Sequence, residues 1–573
     1  MSFFNQFKHY NKESFKKDLI AGLIVGVIAI PLGMAFAIAI GVKPEYGIYS
    51  TIIAGLLVTV LGGSRFQIAG PTGAFIPILL GVTIQYGFEN LLIAGFMAGV
   101  MLLLMGLFRI GSYIKFIPRS VIVGFTSGIA IIIFTGQIGN FLGLEGLENR
   151  EFFIDNIMQM VENIGTLNIY AIIIALISFA LILITPKFFP KVPGTIVSIV
   201  ITTLLAVLFL DGKLATIGSE FGGLSSSLPS FKFPDFTLQR IATLFQPALV
   251  IAALGAIESL LSCVVADGMT DTRHDSNREL IGQGIANMVV PFFGGIPATG
   301  ALARTATNIN AGAVTSLSGI IHVLVVLAVL LLFAPLASYI PLASMAPVLM
   351  IVAWNMSNIS EFRYVFNTTR GDAIVLVITF MLTVFVNVTV AVQVGLILAF
   401  GIFVKNLSDV QEVKRVQPDF NSHNRKMSGE KVSGRICPQI SIFTIEGPLF
   451  FGIAQLIETQ IMDKSHSMPK MIILRMTRVP FLDATGENYL DNLVRHFQAK
   501  DSVVVISGIK KQPLKVMKRS GLYDRIGKDN FYKKIHQAIT ASTELIDLHK
   551  CNTCTSFAFN ECKELSNMVK EIS

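Results

Sequence analysis

The sequence predicts a polytopic α-helical membrane protein of fourteen segments, arranged as a 7+7 inverted repeat, followed by a soluble α/β domain. Of its 573 residues, 53% are hydrophobic and 14% charged, and the mean hydropathy is +0.66. These values exceed those of ordinary soluble domains. Apolar stretches long enough to cross a bilayer, singly or in pairs, recur between residues 18 and 405, and none follows.

The change in composition after Lys405 sets the predicted domain boundaries. The stretch 406–435 is polar and rich in charged residues, serine and glycine, which is typical of a linker. The predicted parts are a cytoplasmic N-terminal segment 1–17, a transmembrane domain 18–405, the linker 406–435, an α/β domain 436–545 and a cysteine-containing tail 546–573.

The distribution of basic residues predicts that both termini lie in the cytoplasm. The N-terminus lacks the small-residue cleavage pattern of a signal peptide and carries Lys8, Lys12, Lys16 and Lys17. Later Lys and Arg residues fall in alternate loops, as the positive-inside rule requires of a cell-membrane protein. This topology explains the net charge of +8 without nucleic acid binding, and a cytoplasmic C-terminal domain would keep its cysteines reduced.

Two pairs of similar segments indicate internal symmetry. AIPLGMAFAIAIG (29–41) resembles AIESLLSCVVADG (256–268), and the TGA of residues 72–74 recurs at 299–301, both at an offset of 227. Each half then contains seven segments, and an odd number makes the second copy inverted, the usual plan of secondary transporters.

The repeated TGA segments follow stretches interrupted by Gly and Pro, which are tolerated at membrane depth only inside protein or beside a wet cavity. If each begins a half-helix near the midplane, two positive helix N-termini converge and favour an anion. Arg304 adds a full positive charge. The alternative is that these small residues only permit tight helix packing. The candidate substrate-binding residues are Pro71, Thr72, Gly73, Ala74, Thr299, Gly300, Ala301 and Arg304.

Glu258 is a carboxylate inside the otherwise apolar run PALVIAALGAIESLLSCVVADG (247–268). An intramembrane acid is costly and usually functional, so we predict that Glu258 couples transport to an ion, H⁺ or Na⁺. It could instead be a structural counter-ion of Arg304. Ser262 lies one turn along the same helix face and could coordinate a cation or relay a proton. Phe36 could supply an apolar wall or simply pack.

Four longer motifs resemble the sulfate permease family of anion transporters, the bacterial relatives of the mammalian solute carrier 26 group. They are AIPLGMAFAIAIGVKPEYGIYS (29–50), GGSRFQIAGPTGAF (62–75), ADGMTDTRHDSNRELIGQGIANM (266–288) and GGIPATGALARTATNIN (294–310). The resemblance implies core and gate domains that work as an elevator, usually in a dimer.

The resemblance also assigns roles to individual residues. It implies that substrate lies between segments 3 and 10, and that the acid matching Glu258 serves the coupled ion. Members that use sodium tend to carry Asp followed one turn later by Thr, where this chain has Glu258 and Ser262. This difference favours protons over sodium. The implied substrate contacts are Phe36, Thr72, Ala301, Leu302 and Arg304.

Residues 437–545 alternate strand-like and helix-like segments, which predicts a small α/β sandwich. The order is QISIFTIE, GIAQLIETQIM, KMIILRM, a helix after DATG, SVVVISGI and two further helical stretches. The domain resembles the STAS domain, named for sulfate transporters and anti-sigma-factor antagonists. In the antagonists a Ser or Thr at the position of Thr485 is phosphorylated, which would add negative charge at a helix start. Asp483 and Thr485 are therefore candidate regulatory residues, or simply helix caps.

The tail contains His549, Cys551, Cys554 and Cys562, which could bind a thiophilic metal or remain reduced thiols. The segment GGIPATG lacks the Lys-Ser/Thr ending of a phosphate-binding loop, and no nucleophile–base pair stands out. We therefore expect a non-enzymatic protein without a cofactor.

The leading hypothesis is secondary active transport of a small anion of the sulfate, bicarbonate or dicarboxylate class, coupled to H⁺ or Na⁺. The alternatives are a nucleobase-type permease, an anion channel and a membrane-bound signalling protein. The expected partners are the anion, the lipid bilayer, a second copy of the chain and a cytoplasmic regulator at the STAS domain.

Overall fold

A computed structural model of the chain falls into two compact units, Met1–Ala399 and Phe400–Ser573. It describes residues 6, 10–112, 117–148, 150, 152–189, 192–224, 226, 228–409, 413–415, 417–418, 427–428, 437–451, 461–462, 469–552, 554, 556, 558–559 and 562.

The first half of the membrane unit is built of helices joined by short loops. A short strand and a 3₁₀ turn, Gly73–Phe75, interrupt it before the third crossing segment. The elements are α1 (Lys12–Ala39), α2 (Pro44–Leu61), β1 (Ala69–Gly70), α3 (Ile76–Tyr86), α4 (Phe88–Leu107), α5 (Arg119–Gly136), α6 (Ile138–Leu142), α7 (Phe153–Glu162), α8 (Ile169–Phe188), α9 (Gly194–Phe209) and α10 (Ile217–Phe221).

The second half repeats this plan, again with a short strand before its third crossing segment. The 3₁₀ turn Val290–Phe293 precedes that strand. The elements are α11 (Leu238–Thr270), α12 (Ser276–Val289), β2 (Thr299–Gly300), α13 (Leu302–Asn310), α14 (Leu317–Ala337), α15 (Leu342–Ser357), α16 (Ile359–Phe366), α17 (Arg370–Phe385) and α18 (Val388–Asp409).

Fourteen of the described helices correspond to the predicted crossing segments, seven in each half, which confirms the fold class. Within the part of the chain that the structure describes, nine helices are long and apolar enough to cross a membrane, and the ranges Gly73–Tyr86 and Gly194–Phe209 are shorter apolar helices. The other three crossing segments, α12, α13 and α17, have 14, 9 and 16 residues. Helix α13 is far shorter than a full crossing, as expected for a half-helix.

Helix starts follow local sequence rules. The side chain of Asn11 accepts a hydrogen bond from Ser14 N at 2.8 Å and caps α1. Thr237 caps α11 in the same manner, and Pro44 occupies the first turn of α2, where its missing N–H is not needed.

The helices of the two halves interleave into two groups. Helices α1–α4 pack with α11–α14, with contacts between α4 and α12 and between α1 and α14. Helix α5 packs with α15 and α17, and α8 packs with α9 and α15. The first group contains both strands and both interrupted segments, and corresponds to the core domain. The second corresponds to the gate domain.

The described part of the second unit is an α/β domain around a five-stranded sheet of order β3-β6-β7-β8-β9, in which β3 is antiparallel and the other pairs are parallel. The order of strands and helices agrees with the predicted sandwich. The predicted helix GIAQLIETQIM lies almost wholly outside the described residues. The elements are β3 (Val413–Arg415), β4 (Gln417–Pro418), β5 (Met427–Ser428), β6 (Ile440–Glu446), β7 (Met471–Arg478), α19 (Ala484–Gln498), β8 (Val503–Ser507), α20 (Lys511–Ser520), α21 (Leu522–Ile526), β9 (Phe531–Tyr532), α22 (Ile535–Thr543) and α23 (Leu548–Asn552).

Candidate functional site

The two interrupted segments meet in a two-residue antiparallel ladder. Ala69 pairs with Gly300, and Gly70 pairs with Thr299. The amide of Ala301 also donates to the carbonyl of Ile68 at 2.8 Å. A helix starts shortly after each strand, at Gly73 and at Leu302, so the N-termini of the two half-helices are brought together as predicted.

The ladder corrects the internal offset that the sequence suggested. The symmetric pairing makes Ala69 equivalent to Thr299 and Gly70 equivalent to Gly300, so the offset is 230 rather than 227. The TGA match at 72–74 and 299–301 is therefore out of register by three residues. It misled because small residues recur throughout both segments, whereas the fold aligns the strands that pair.

Side chains of helix α12 form hydrogen bonds with the unwound backbone on both sides of the ladder. Glu279 Oε2 accepts from Gly63 N at 2.9 Å. Asn287 Oδ1 accepts from Ala298 N at 2.8 Å, and its Nδ2 donates to Ala298 O at 2.8 Å. Both side chains are buried. Because unpaired backbone is costly at membrane depth, these two side chains explain how the chain can break its helices there.

Glu258 lies on α11, opposite the start of the first half-helix. It is half-buried, and its Oε2 accepts a hydrogen bond from Thr72 Oγ1 at 2.8 Å. The structure thus joins the predicted ion-coupling carboxylate directly to a predicted substrate-binding residue.

Ser262, the candidate to coordinate a cation or relay a proton, is hydrogen-bonded to Gln67. It is buried, and its Oγ donates to Gln67 Oε1 at 3.0 Å. The Nε2 atom of Gln67 donates to the carbonyl of Ser259 at 3.2 Å. Gln67 therefore fastens the first interrupted segment to α11.

Ser259 performs the same task for the second segment. Its Oγ lies 2.8 Å from Thr299 Oγ1 and accepts from Gly300 N at 3.0 Å. Thr299 is fully buried and committed to this network. Sequence reasoning missed Gln67 and Ser259. The only signal in the sequence is that both residues are polar: Ser259 lies beside Glu258, and Gln67 lies within the motif 62–75.

Arg304 lies behind the ladder, 2% exposed. Its Nη2 donates to the carbonyl of Pro71, while Nη1 has no hydrogen-bond partner within the part of the chain that the structure describes. No ion pair joins Arg304 to Glu258 among the described residues, so the counter-ion alternative has no support in this arrangement. Gly70 leaves room for the guanidinium group, because a Cβ atom at that position would overlap Nη1 and the arginine side chain would have to shift.

The remaining predicted site residues lie around the two helix starts. Phe36 is buried in α1 at 5% exposure, and Ala74 and Ala301 are also buried. Leu302, by contrast, is 44% exposed at the first turn of α13. Gly73 faces the gate domain, because a Cβ atom there would come within 2.9 Å of Met356 Sδ.

A cavity of about 470 Å³ separates α3 from helices of the gate domain. Its walls reach Ile76 and Pro77, in the first turn of α3, and carry polar side chains at the opposite end of that helix. They include Gln85, Gln137, Asn140, Arg150 and Asn387. Arg150 lies in the loop between α6 and α7, which the charge pattern predicts to be extracellular.

In the second unit the proposed regulatory pair forms a helix cap. Asp483 Oδ1 accepts from Gly486 N at 2.7 Å, and Oδ2 accepts from Phe451 N at 3.0 Å. Thr485 is half-buried in the first turn of α19. The capping alternative is thus confirmed for Asp483, and phosphorylation of Thr485 stays a prediction. His549 is exposed, and Cys551, Cys554 and Cys562 are partly buried.

Two inverted halves with broken helices that meet at a carboxylate and an arginine define a multi-pass membrane protein of the transporter type. The Sulfate permease family profile matches residues 15–379, and the STAS domain profile matches residues 432–538. The chain belongs to the sulfate permease family and carries a C-terminal STAS domain, which confirms the resemblance inferred from its motifs.

Similar proteins agree with this assignment. The chain is 49% identical to Putative sulfate transporter YvdB of Bacillus subtilis (strain 168), over 94% of this chain and 100% of that protein. It is 29% identical to Bicarbonate transporter BicA of Picosynechococcus sp., over 92% and 95% of the two chains. The murine solute carrier 26 family member A9, an anion transporter solved in the inward-facing state, shares the fold with a TM-score of 0.84 at 17% identity. That match covers 94% of this chain and 93% of the other.

Proposed function

We propose that the protein is a secondary active transporter of a small anion of the sulfate, bicarbonate or dicarboxylate class. The observation that carries the proposal is the convergence of two half-helix N-termini beside Arg304, whose Nη1 has no hydrogen-bond partner among the described residues. The first N–H groups of each helix lack intrahelical partners, and together with a buried guanidinium they favour negative charge. The relatives named above as sulfate and bicarbonate transporters support the same class of substrate.

The proposed mechanism is an elevator in which the core domain slides against the gate domain. Both strands, Glu258 and Arg304 belong to the core, and the hydrogen bonds of Gln67 and Ser259 tie them together. The site would then move as one body. The close packing of Gly73 on Met356 is a contact that such movement would break and remake.

Coupling is proposed to occur through Glu258. Its bond to Thr72 joins the ion site to the first half-helix, so a change in the charge of this carboxylate alters the site that holds the anion. Sodium-using members of the family tend to carry Asp followed one turn later by Thr, where this chain has Glu258 and Ser262. This difference supports a proton as the coupled ion.

The proposal places the protein in the cell membrane with both termini in the cytoplasm, as the charge pattern predicts, and as a homodimer. The 470 Å³ cavity is the proposed extracellular approach to the site. The STAS domain is proposed to regulate or anchor the transporter, without contributing to substrate choice.

Uptake by purified protein in proteoliposomes tests this function. We expect concentrative uptake of sulfate or bicarbonate under an inward proton gradient, with competition by related anions. Uptake of uracil would instead indicate a nucleobase permease, and passive chloride flux that ignores the gradient would indicate a channel. No flux of any of these, or of fumarate, would favour a signalling role.

A further inference from the structure

A buried carboxylate near the start of α1 holds a turn of the second repeat. Asp18 lies in the second turn of α1 and is fully buried. Its Oδ1 accepts from Val314 N at 2.6 Å and from Thr315 N at 3.1 Å, and its Oδ2 accepts from the Thr315 hydroxyl at 2.6 Å. Val314 and Thr315 belong to the turn between the half-helix α13 and α14. Hydrogen bonds to a charged acceptor are stronger than those between neutral groups, so Asp18 fastens this turn to the first repeat.

Two residues that precede α1 bond to Asp18 or to the same turn. The Tyr10 hydroxyl donates to Asp18 Oδ2 at 3.0 Å. Gln6 Oε1 accepts from Ser316 N at 3.1 Å and from Ser316 Oγ at 2.8 Å. Three successive N–H groups, those of residues 314–316, thus bond to side chains from the N-terminal part of the chain. They immediately precede α14, where the positive end of the helix favours a carboxylate.

Close packing of α1 on α14 continues from this turn. A Cβ atom at Gly22 would lie 2.6 Å from Ser318 O, and one at Gly26 would lie 2.7 Å from Val325 Cβ. Both distances are shorter than a normal contact, so the two backbones approach as closely as glycine allows, as is usual for small residues between membrane helices. The turn that Asp18 holds is therefore fixed against α1 on its α14 side.

The same turn follows the half-helix that carries Arg304. Gly312 N donates to Ile309 O at 2.9 Å, so the turn is bonded to the last residues of α13. Near the other end of the helix, Thr305 Oγ1 accepts from Ile68 N at 3.0 Å and attaches α13 to the first interrupted segment. Helix α13 has nine residues, which is too short to be stable alone. Its position therefore depends on the attachments at both of its ends.

We propose that Asp18 is a positioning residue of the anion site: by holding the turn after α13, it sets where Arg304 lies. The inference rests on the proposed function, in which Arg304 binds the transported anion. The described partners of Asp18 are two N–H groups and two hydroxyls. Asparagine could accept from both N–H groups through Oδ1 and donate to a hydroxyl oxygen through Nδ2. Hydrogen bonding, rather than negative charge, is thus the property that the turn requires.

The test is uptake of sulfate and bicarbonate in proteoliposomes as a function of anion concentration, normalised to inserted protein. Asp18→Leu removes all of these hydrogen bonds and nearly preserves the volume of the side chain. It should raise the anion concentration for half-maximal uptake at least about fivefold and change the maximal rate less than about twofold, because it displaces Arg304 without altering the moving domains. Asp18→Asn should remain within about twofold of wild type in both quantities.

Two controls separate positioning from a general loss of stability. Glu13→Gln changes an exposed carboxylate of the same helix, which pairs with Lys17 at 2.8 Å, and it should resemble wild type. Ser178→Ala removes a buried hydroxyl of the gate domain, which donates to Ser344 O at 2.9 Å. This change can lower the yield of folded protein, but the half-maximal anion concentration should stay unchanged.

An unchanged half-maximal concentration in folded Asp18→Leu would overturn the proposal, and so would an Asp18→Asn protein as impaired as Asp18→Leu. If Asp18→Leu does not fold, Thr315→Val removes one of the bonds and should still raise that concentration about twofold; an unchanged value would overturn the proposal equally. Arg304→Ala, measured alongside, tests the function beneath it. If Arg304→Ala leaves anion affinity unchanged, the proposed site and the role of Asp18 both fail. If Arg304→Ala weakens binding and Asp18→Leu does not, only the role of Asp18 is wrong.

Discussion

The hydrogen bond between Thr72 and Glu258 gives a quantitative test of coupling. Thr72→Val keeps the shape of the side chain and removes the hydroxyl, which donates to Glu258 Oε2 at 2.8 Å. A hydrogen bond to a carboxylate contributes about 1.5–3 kcal/mol, against about 0.5–1.5 kcal/mol for one between neutral groups. The loss of transport rate caused by Thr72→Val should thus depend on whether residue 258 is Glu or Gln.

The difference between these two hydrogen-bond free energies sets how much more Thr72→Val should slow exchange when residue 258 is Glu than when it is Gln. We expect Thr72→Val to slow anion exchange about thirtyfold in the wild-type background and about fivefold in the Glu258→Gln background. The coupling energy in a double-mutant cycle is then about 1 kcal/mol. Thr83→Val is the matched control, because the Thr83 hydroxyl on the same half-helix donates to Leu79 O within its own helix.

The assay is exchange of labelled anion in proteoliposomes at equal pH on both sides, so that loss of proton coupling does not itself abolish flux. Rates are taken at low anion concentration and normalised to inserted protein. Equal losses in the two backgrounds would refute the reasoning, because the hydroxyl would then act on a group other than Glu258. A loss in Thr83→Val as large as that in Thr72→Val would also refute it.

Three further perturbations test other parts of the account. Gly300→Ala should reduce uptake at least about tenfold, because a Cβ atom would overlap the Gln67 amide and cost about 1–3 kcal/mol. Gly81→Ala adds a Cβ atom that meets no atom of a described residue within 4 Å; it should leave uptake unchanged, and equal effects in the two would contradict this packing argument. Glu258→Gln should still exchange anion but lose accumulation driven by a pH gradient; undiminished accumulation, or a wild type that needs sodium and ignores pH, would exclude proton coupling through this residue. Deleting residues 436–573 should lower expression or turnover measured per cell, with anion selectivity in a competition series unchanged; a change in the preferred anion would show that the soluble domain contributes to the site.

Hydropathy predicted much of the membrane fold because each segment must bury its own backbone hydrogen bonds in lipid. It also identified Glu258, since a charged side chain inside an apolar run is costly in a membrane and therefore stands out. These are local properties of the chain. The broken helices were predictable for the same reason, from Gly and Pro residues beside Thr72 and within 294–300.

The parts that sequence reasoning missed depend on tertiary contacts. Gln67, Glu279 and Asn287 are polar residues whose partners lie on other elements, and nothing in their own spacing indicates those partners. The offset of 227 failed because it matched residue types rather than paired strands.

Measuring anion affinity in Arg304 variants is the most direct test of the central claim that the paired half-helices bind the transported anion. Sulfate and bicarbonate uptake should be measured in proteoliposomes for wild type, Arg304→Ala, Arg304→Lys and Arg240→Ala. Arg240 is the control, a partly exposed arginine of α11 whose ion-pair distances are 3.9 and 4.0 Å. We predict that Arg304→Ala raises the anion concentration needed for half-maximal uptake by at least about tenfold, since a buried charge-assisted contact is worth more than about 1.4 kcal/mol. Arg304→Lys should restore part of the loss and Arg240→Ala should resemble wild type. Unchanged anion affinity in a folded Arg304→Ala protein would contradict the account.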